Sequence, residues 1–137
     1  MTGNTVLEGG CLCGAIRYRA TATPFAADYC HCSICRKSTG SPFGVWMDFK
    51  AGQVEWSNAR PHEYASSEHI RRGFCRDCGT SLTYRHQGHP EYLTLSIASL
   101  DDPDAVKPTY HIHTNSQIGW LKIDDDLQRY PEGGSPE

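Results

Sequence analysis

Seven cysteines fall in three tight groups, and none stands alone: Cys11 and Cys13 in GGCLCG, Cys30, Cys32 and Cys35 in YCHCSIC, Cys75 and Cys78 in GFCRDCGT. An odd number cannot close as a set of disulfides within one chain. The start, MTGNTVLEGG, has no basic segment followed by an apolar one. No secretory signal is therefore expected, and the expected location is the cytoplasm, where thiols stay reduced. Close cysteine pairs in that setting point to metal rather than to disulfides. The groups therefore constrain the fold strongly, because metal is expected to replace part of the hydrophobic core.

Residues two apart in a strand face the same way, so Cys11 and Cys13 offer two thiolates together. Cys75 and Cys78, followed by Gly79, resemble a zinc knuckle, whose turn brings both sulfurs to one ion while glycine permits a tight or left-handed backbone. Together these four make a closed tetrahedral site of the structural kind. Cys30, Cys32 and Cys35 remain, and three protein ligands with an open fourth position are the pattern of a catalytic zinc. Three thiolates outweigh the charge of Zn²⁺ and make it a weak Lewis acid, poorly suited to generating hydroxide. Such a site suits a soft fourth ligand, above all a substrate thiolate, whose deprotonation the metal favours. Spacing leaves alternatives open: the paired cysteines as buried free thiols, a second structural zinc completed by a histidine, or the first group joined to part of the second. His31 lies inside the second group, but in an extended segment it points away from its two neighbours.

The length of 137 residues fits one domain. At 38% hydrophobic and 21% charged, the chain is of a globular type, and its longest nearly apolar run, YLTLSIASL, is far too short to span a bilayer. A net charge of −3 argues against a broad nucleic-acid footprint. Short strands broken by Gly, Pro, Asn and Asp are expected: CGAIRYRA, with Ile16 and Tyr18 alternating with arginines; FGVWMDF, with Phe43, Val45, Met47 and Phe49 on one side; TSLTYRH; EYLTLSIASL; and a late strand in IGWLKI. One short helical turn is expected in SICRKS, and no twelve-residue helical face is seen. The chain is therefore expected to be mainly β.

The motifs GGCLCGAIRY, CHCSICRKSTGSPF, FCRDCGTSLTY and YHIHTNSQIGWLKIDDDLQRYP, in that order over nearly the whole chain, resemble the glutathione-dependent formaldehyde-activating enzyme family, which includes centromere protein V-like proteins. The resemblance implies a β-tent fold built of short antiparallel sheets around two zinc sites. It assigns Cys11, Cys13, Cys75 and Cys78 to a structural zinc and Cys30, Cys32 and Cys35 to a catalytic zinc. It also implies a carbon–sulfur lyase acting on a glutathione–aldehyde adduct such as S-hydroxymethylglutathione, with small thiol and aldehyde as partners. Residues 1–131 are then a single domain of this kind, and 132–137 a disordered tail. The chain is shorter than the fully formed glutathione-dependent enzymes, and its segment before Cys11 is only ten residues, so the elements that grip glutathione are expected to be missing or different.

Arg36 and Lys37 are the candidate contacts for glutathione carboxylates; the alternative is a solvated basic pair. Ser38, Thr39 and Gly40 offer hydroxyls and close backbone approach, or simply a turn. Trp46 is expected in the core rather than lining a pocket. His111 and His113 share a face if YHIHT is extended, and are expected to be structural rather than proton shuttles. Two other functional classes compete with the lyase: a non-catalytic zinc module that displays a surface, and a glutathione carrier without turnover. The fourth position of the second zinc separates module from enzyme.

Overall fold

The computed structural model describes residues 6–133. In chain order its strands are β1 (Leu7–Gly10), β2 (Ile16–Ala20), β3 (Ala26–Cys30), β4 (Gly44–Lys50), β5 (Val54–Asn58), β6 (His62–Ala65), β7 (Ile70–Phe74), β8 (Ser81–His86), β9 (Tyr92–Ser96), β10 (Tyr110–Ile112) and β11 (Gln128–Arg129). One α-helix, α1 (Ser33–Thr39), follows β3, and short 3₁₀ turns fill several connections. The chain is mainly β, as expected.

Three strands form an antiparallel sheet in the order β1-β2-β5, and eight form a second sheet in the order β11-β10-β3-β4-β9-β8-β7-β6. Pairing in the larger sheet is antiparallel from β3 through β6; β10 runs parallel to both β3 and β11. The main core contains Ile16, Tyr18 and Ala20 of β2 together with Ala27, Met47, Phe49 and Leu95 of the larger sheet. The alternation Ile16–Arg17–Tyr18–Arg19 therefore sorts as the sequence implies, apolar residues inward and arginines outward.

β4 departs from simple alternation. Met47 and Phe49 are fully buried on the core side, but Gly44 and Trp46 are buried as well. Both faces of β4 are covered because it lies in the middle of the larger sheet, where the second face is occupied by α1 and a cavity. Trp46 packs there with Cys30 and Cys35 in a small second cluster.

The late strand expected in IGWLKI is absent: Gly119 and Trp120 form a turn, and Trp120 is 72% exposed. The carbonyls of this region find another donor. Arg129 gives hydrogen bonds to the carbonyls of Ile123, Asp125 and Leu127 at 3.0, 3.3 and 2.8 Å. Of these only Ile123 lies in IGWLKI, whose Leu121 carbonyl accepts instead from Gln117 Nε2 at 3.3 Å. Of the expected disordered tail, residues 134–137 lie outside the described residues; Glu132 is described, and its carbonyl accepts from the His113 amide at 3.1 Å. Among the described residues no helix is long and apolar enough to cross a membrane.

Candidate metal centres

The first centre joins the two sheets. Cys11 and Cys13 lie just after β1, Cys75 and Cys78 just after β7, and all four sulfurs lie within 4.8 Å of one another. Neighbouring sulfurs are 3.7 Å apart for Cys11 and Cys13 and 3.8 Å for Cys13 and Cys75. The local backbone explains why the chain turns here. Gly14 and Gly79 both have positive φ, 84° and 82°, where an L side chain is strained. The turns aim amides at sulfur: Ile16 N–H donates to Cys11 Sγ, and the Asp77 and Cys78 amides donate to Cys75 Sγ at 3.4 Å. At Cys11 burial opposes ionisation, but the Ile16 amide and the neighbouring sulfurs hold the thiol below its usual value. The hydroxyl of Thr80 lies 3.3 Å from Cys78 Sγ and, as the leading cause, pulls that thiol down to about 5.

The second centre is built by the end of β3 and the start of α1. Cys30 ends the strand, Cys32 is the N-cap of the helix, and Cys35 sits in its first turn. Cys32 Sγ accepts from the Cys35 amide at 3.2 Å, so one sulfur both caps the helix and joins the cluster. Cys30 Sγ lies 3.1 Å from Cys35 Sγ and 3.5 Å from Cys32 Sγ. The interactions with Cys30 and then Cys35 hold Cys32 low, and the interactions with Cys32 and Cys35 push Cys30 up. Three thiols at this spacing cannot all ionise without a cation between them. The donor set thus fits a soft divalent metal in each centre. Among the described residues no fourth Cys, His, Asp or Glu joins Cys30, Cys32 and Cys35.

A cavity of about 400 Å³ opens onto the second centre. Strand register decides what lines it. Cys30 and Asp28 share a face of β3; β4 sets Trp46 opposite Asp28, β10 sets Tyr110 beside Asp28 and Ile112 beside Cys30, and β9 sets Thr94 opposite Asp48. All of these residues line the cavity. Arg72 closes one side from β7. It is only 8% exposed, its Nη1 lies 3.7 Å from Cys35 Sγ and donates to Ser38 Oγ at 3.3 Å, and its guanidinium sits 5.1 Å from the Tyr84 ring centroid. Away from the thiols, burial and then the Asp48 charge push the Asp28 carboxyl up to about 7.

The remaining candidates are distributed unequally. Trp46 is both buried and part of the cavity wall. Lys37 lines an adjoining cavity of about 450 Å³, which shares Ile34, Ser66 and Arg72 with the first. Arg36, on α1, lines neither cavity. The hydroxyls of Ser38 and Thr39 donate to the Cys35 carbonyl at 3.4 and 2.8 Å, and Gly40 ends the helix at φ 69°. His111 and His113 do not share a face, because β10 stops at Ile112 and His113 turns at φ 56°. His113 lines the cavity, whereas His111 is fully buried behind the sheet, between His31 and Asp125. His31 Nε2 lies 2.9 Å from His111 Nδ1, directed away from the thiols. Arg72, Asp28 and Asp48 were invisible as site residues in the sequence, for each is placed by pairing between distant strands.

The family model described as "Glutathione-dependent formaldehyde-activating enzyme" matches residues 6–116. A Halomonas elongata protein whose name carries the same family description is 28% identical over 96% of this chain and 90% of its own length. An uncharacterized lyase of Schizosaccharomyces pombe is 37% identical over 58% of this chain and 57% of its own. The crystal structure of a Rhodobacter sphaeroides protein shares the fold, with a TM-score of 0.59 at 22% identity, over 74% of this chain and 96% of that one. With both cysteine centres assembled and most of its length inside the family model, this chain belongs to the glutathione-dependent formaldehyde-activating enzyme family.

Proposed function

We propose that the chain is a zinc-dependent carbon–sulfur lyase acting on the adduct of glutathione, or another small thiol, with formaldehyde. Cys11, Cys13, Cys75 and Cys78 would hold a structural zinc, and Cys30, Cys32 and Cys35 a catalytic one. The observation that carries this reading is the second centre: three sulfurs converge beside a cavity, and no fourth protein ligand joins them among the described residues. A module built on two structural zincs would be expected to close that position with its own side chain. Family membership supports the same reading.

Zinc held there supplies a soft coordination position for the substrate sulfur and favours its thiolate form. The chain's own residues then have separable tasks. Arg72, packed between Tyr84 and Cys35, offsets the negative charge of the thiolate cluster and presents a fixed cation to a substrate carboxylate. Lys37, at the adjoining cavity, offers a second cation. Trp46, Tyr84 and Ile112 form an apolar wall that limits water at the sulfur. His113 is the histidine on the cavity, and it would exchange the proton of the hemithioacetal oxygen. In the forward direction a carbon–sulfur bond forms, the carbonyl π bond opens onto oxygen, and the proton lost by the thiol ends on that oxygen; the lyase direction reverses each change.

Cobalt substitution tests the reading. Glutathione should intensify the sulfur-to-cobalt charge-transfer band, and S-methylglutathione, which has no ionisable thiol, should not. With formaldehyde present, exchange between free thiol and hydroxymethyl adduct should exceed the spontaneous rate, and Cys32→Ala should remove the excess. A spectral response with no rate excess would leave a glutathione carrier. No response to any thiol would leave the non-catalytic module.

A further inference from the structure

The cavity has a second chemical end. Asp28 is only 6% exposed, yet its Oδ1 has no hydrogen-bond partner. Asp48, on the same face of the neighbouring strand, accepts from the Thr94 hydroxyl at 2.7 Å. Both carboxyls line the cavity together with the phenol of Tyr110, which hydrogen-bonds Asp28. A buried carboxyl oxygen without a donor is costly, and two acids facing one cavity add repulsion. The fold tolerates a group here that awaits a donor.

We infer that the Asp28–Asp48 floor receives a primary ammonium group carried by the thiol substrate, so that the cavity selects aminothiols; this rests on the reading of the cavity as a thiol site. Three features favour an organic ammonium over a further metal ion. Asp28 and Asp48 belong to no group of three metal-ligating side chains among the described residues. An ammonium brings three N–H donors, which the Asp28 and Asp48 oxygens and the Tyr110 hydroxyl can share. The indole of Trp46 stands opposite Asp28 in register and borders the same space, so an aromatic ring rather than a further oxygen ligand completes this part of the wall. Spacing sets the ligand's length. Asp28 and Cys30 are two residues apart on one strand face, roughly 7 Å along the strand. The nitrogen of the ligand therefore lies a few bonds from its sulfur, as in a short aminothiol or in a peptide thiol folded so that its amino group returns to the floor. Arg72, beside the thiols, offsets the charge of that end and leaves the Asp28–Asp48 floor as the acidic end of the cavity, so the ligand's orientation is fixed as well.

Calorimetric binding to the zinc-loaded full chain tests this with two matched pairs. Cysteamine and 2-mercaptoethanol differ by an ammonium for a hydroxyl. Glutathione and its α-N-acetyl derivative differ by loss of the charge. In at least one pair the charged member should bind about tenfold tighter, as expected for a charge-assisted hydrogen bond. Preference in the first pair alone identifies a short aminothiol, and preference in the second alone a peptide thiol. Asp28→Asn and Asp48→Asn, each keeping side-chain shape, should shrink that preference to below about threefold while the neutral partner binds as before. Retained binding of the neutral thiol also shows that each variant has folded; should Asp28→Asn fail to fold, Asp48→Asn, at the less buried position, carries the test alone. Equal affinity within both pairs, or a preference that survives Asp48→Asn and Asp28→Asn, overturns the inference and leaves the thiol site intact. Absence of binding by all four thiols overturns the thiol site and this inference with it.

Discussion

His31 stands between two candidate zinc ligands in sequence and contributes to neither sulfur cluster. Its ring packs against His111, with centroids 5.1 Å apart, and against Phe43, while Tyr29 stacks on the other ring at 4.6 Å. His111 is held in turn by Asp125 at 3.0 Å, and Asp125 by Arg129. Side chains of this chain thus anchor the β3 end from the face opposite the thiols, and they orient the peptide that carries Cys30 and Cys32. His111→Ala removes a fully buried ring, leaves His31 without its hydrogen bond and opens a void. The loss should be about 3 kcal/mol, combining cavity formation with an orphaned polar group, and a fall in the denaturant midpoint measures it. Affinity for the second metal should fall as well, because its ligands lose their support. Unchanged metal affinity in a destabilised variant would confine His111 to packing.

At the scale of elements, α1 is only seven residues long, and its ends determine where two of the three thiols stand. Cys32 caps the start, and Gly40, at φ 69°, closes the end with its amide on the Arg36 carbonyl at 2.9 Å. A Cβ added at Gly40 would meet nothing within 4 Å, so the penalty of Gly40→Ala is conformational alone. It should cost about 1–2 kcal/mol, seen in a thermal melt, with zinc content unchanged. The cysteine spacings, the helical turn in SICRKS and the alternation of β2 are local patterns, and all were legible in the sequence. The cavity was not. Asp28, Asp48, Thr94, Tyr110 and Arg72 meet through pairing of β10, β3, β4, β9, β8 and β7, and strand register is a property of the sheet rather than of any segment. The expected strand in IGWLKI failed for a related reason: the pattern is compatible with a strand, but side chains rather than a paired strand reach its backbone, Gln117 at the Leu121 carbonyl and Arg129 at that of Ile123. Arg36 and Lys37 drew notice by adjacency to Cys35, yet the cation that reaches its sulfur is Arg72, thirty-seven positions away.

For the whole molecule, the two metal centres should differ in what they hold together. The four-cysteine centre joins the turn after β1 to the turn after β7 and so clamps the smaller sheet to the larger one, with Cys11 and Cys75 inside the main core. A structural zinc contributes on the order of 10 kcal/mol, as much as the entire net stability of a typical domain, about 5–15 kcal/mol. Cys78→Ala should therefore yield insoluble or largely unfolded protein. Cys32→Ala breaks a centre formed within six consecutive positions, Cys30 to Cys35, and loses a helix cap worth about 1 kcal/mol. It should bind one zinc fewer and keep its fold. Metal removal from the unmodified chain gives the same contrast without mutation. A competing chelator should first withdraw one zinc per chain, from the centre that opens on the cavity, leaving the far-ultraviolet circular dichroism unchanged. The second zinc should leave only together with loss of the β signal, because its departure unclamps the sheets. Release of both ions in one step with unfolding would mean that both centres are structural, and would remove the main support for placing catalysis at Cys30, Cys32 and Cys35.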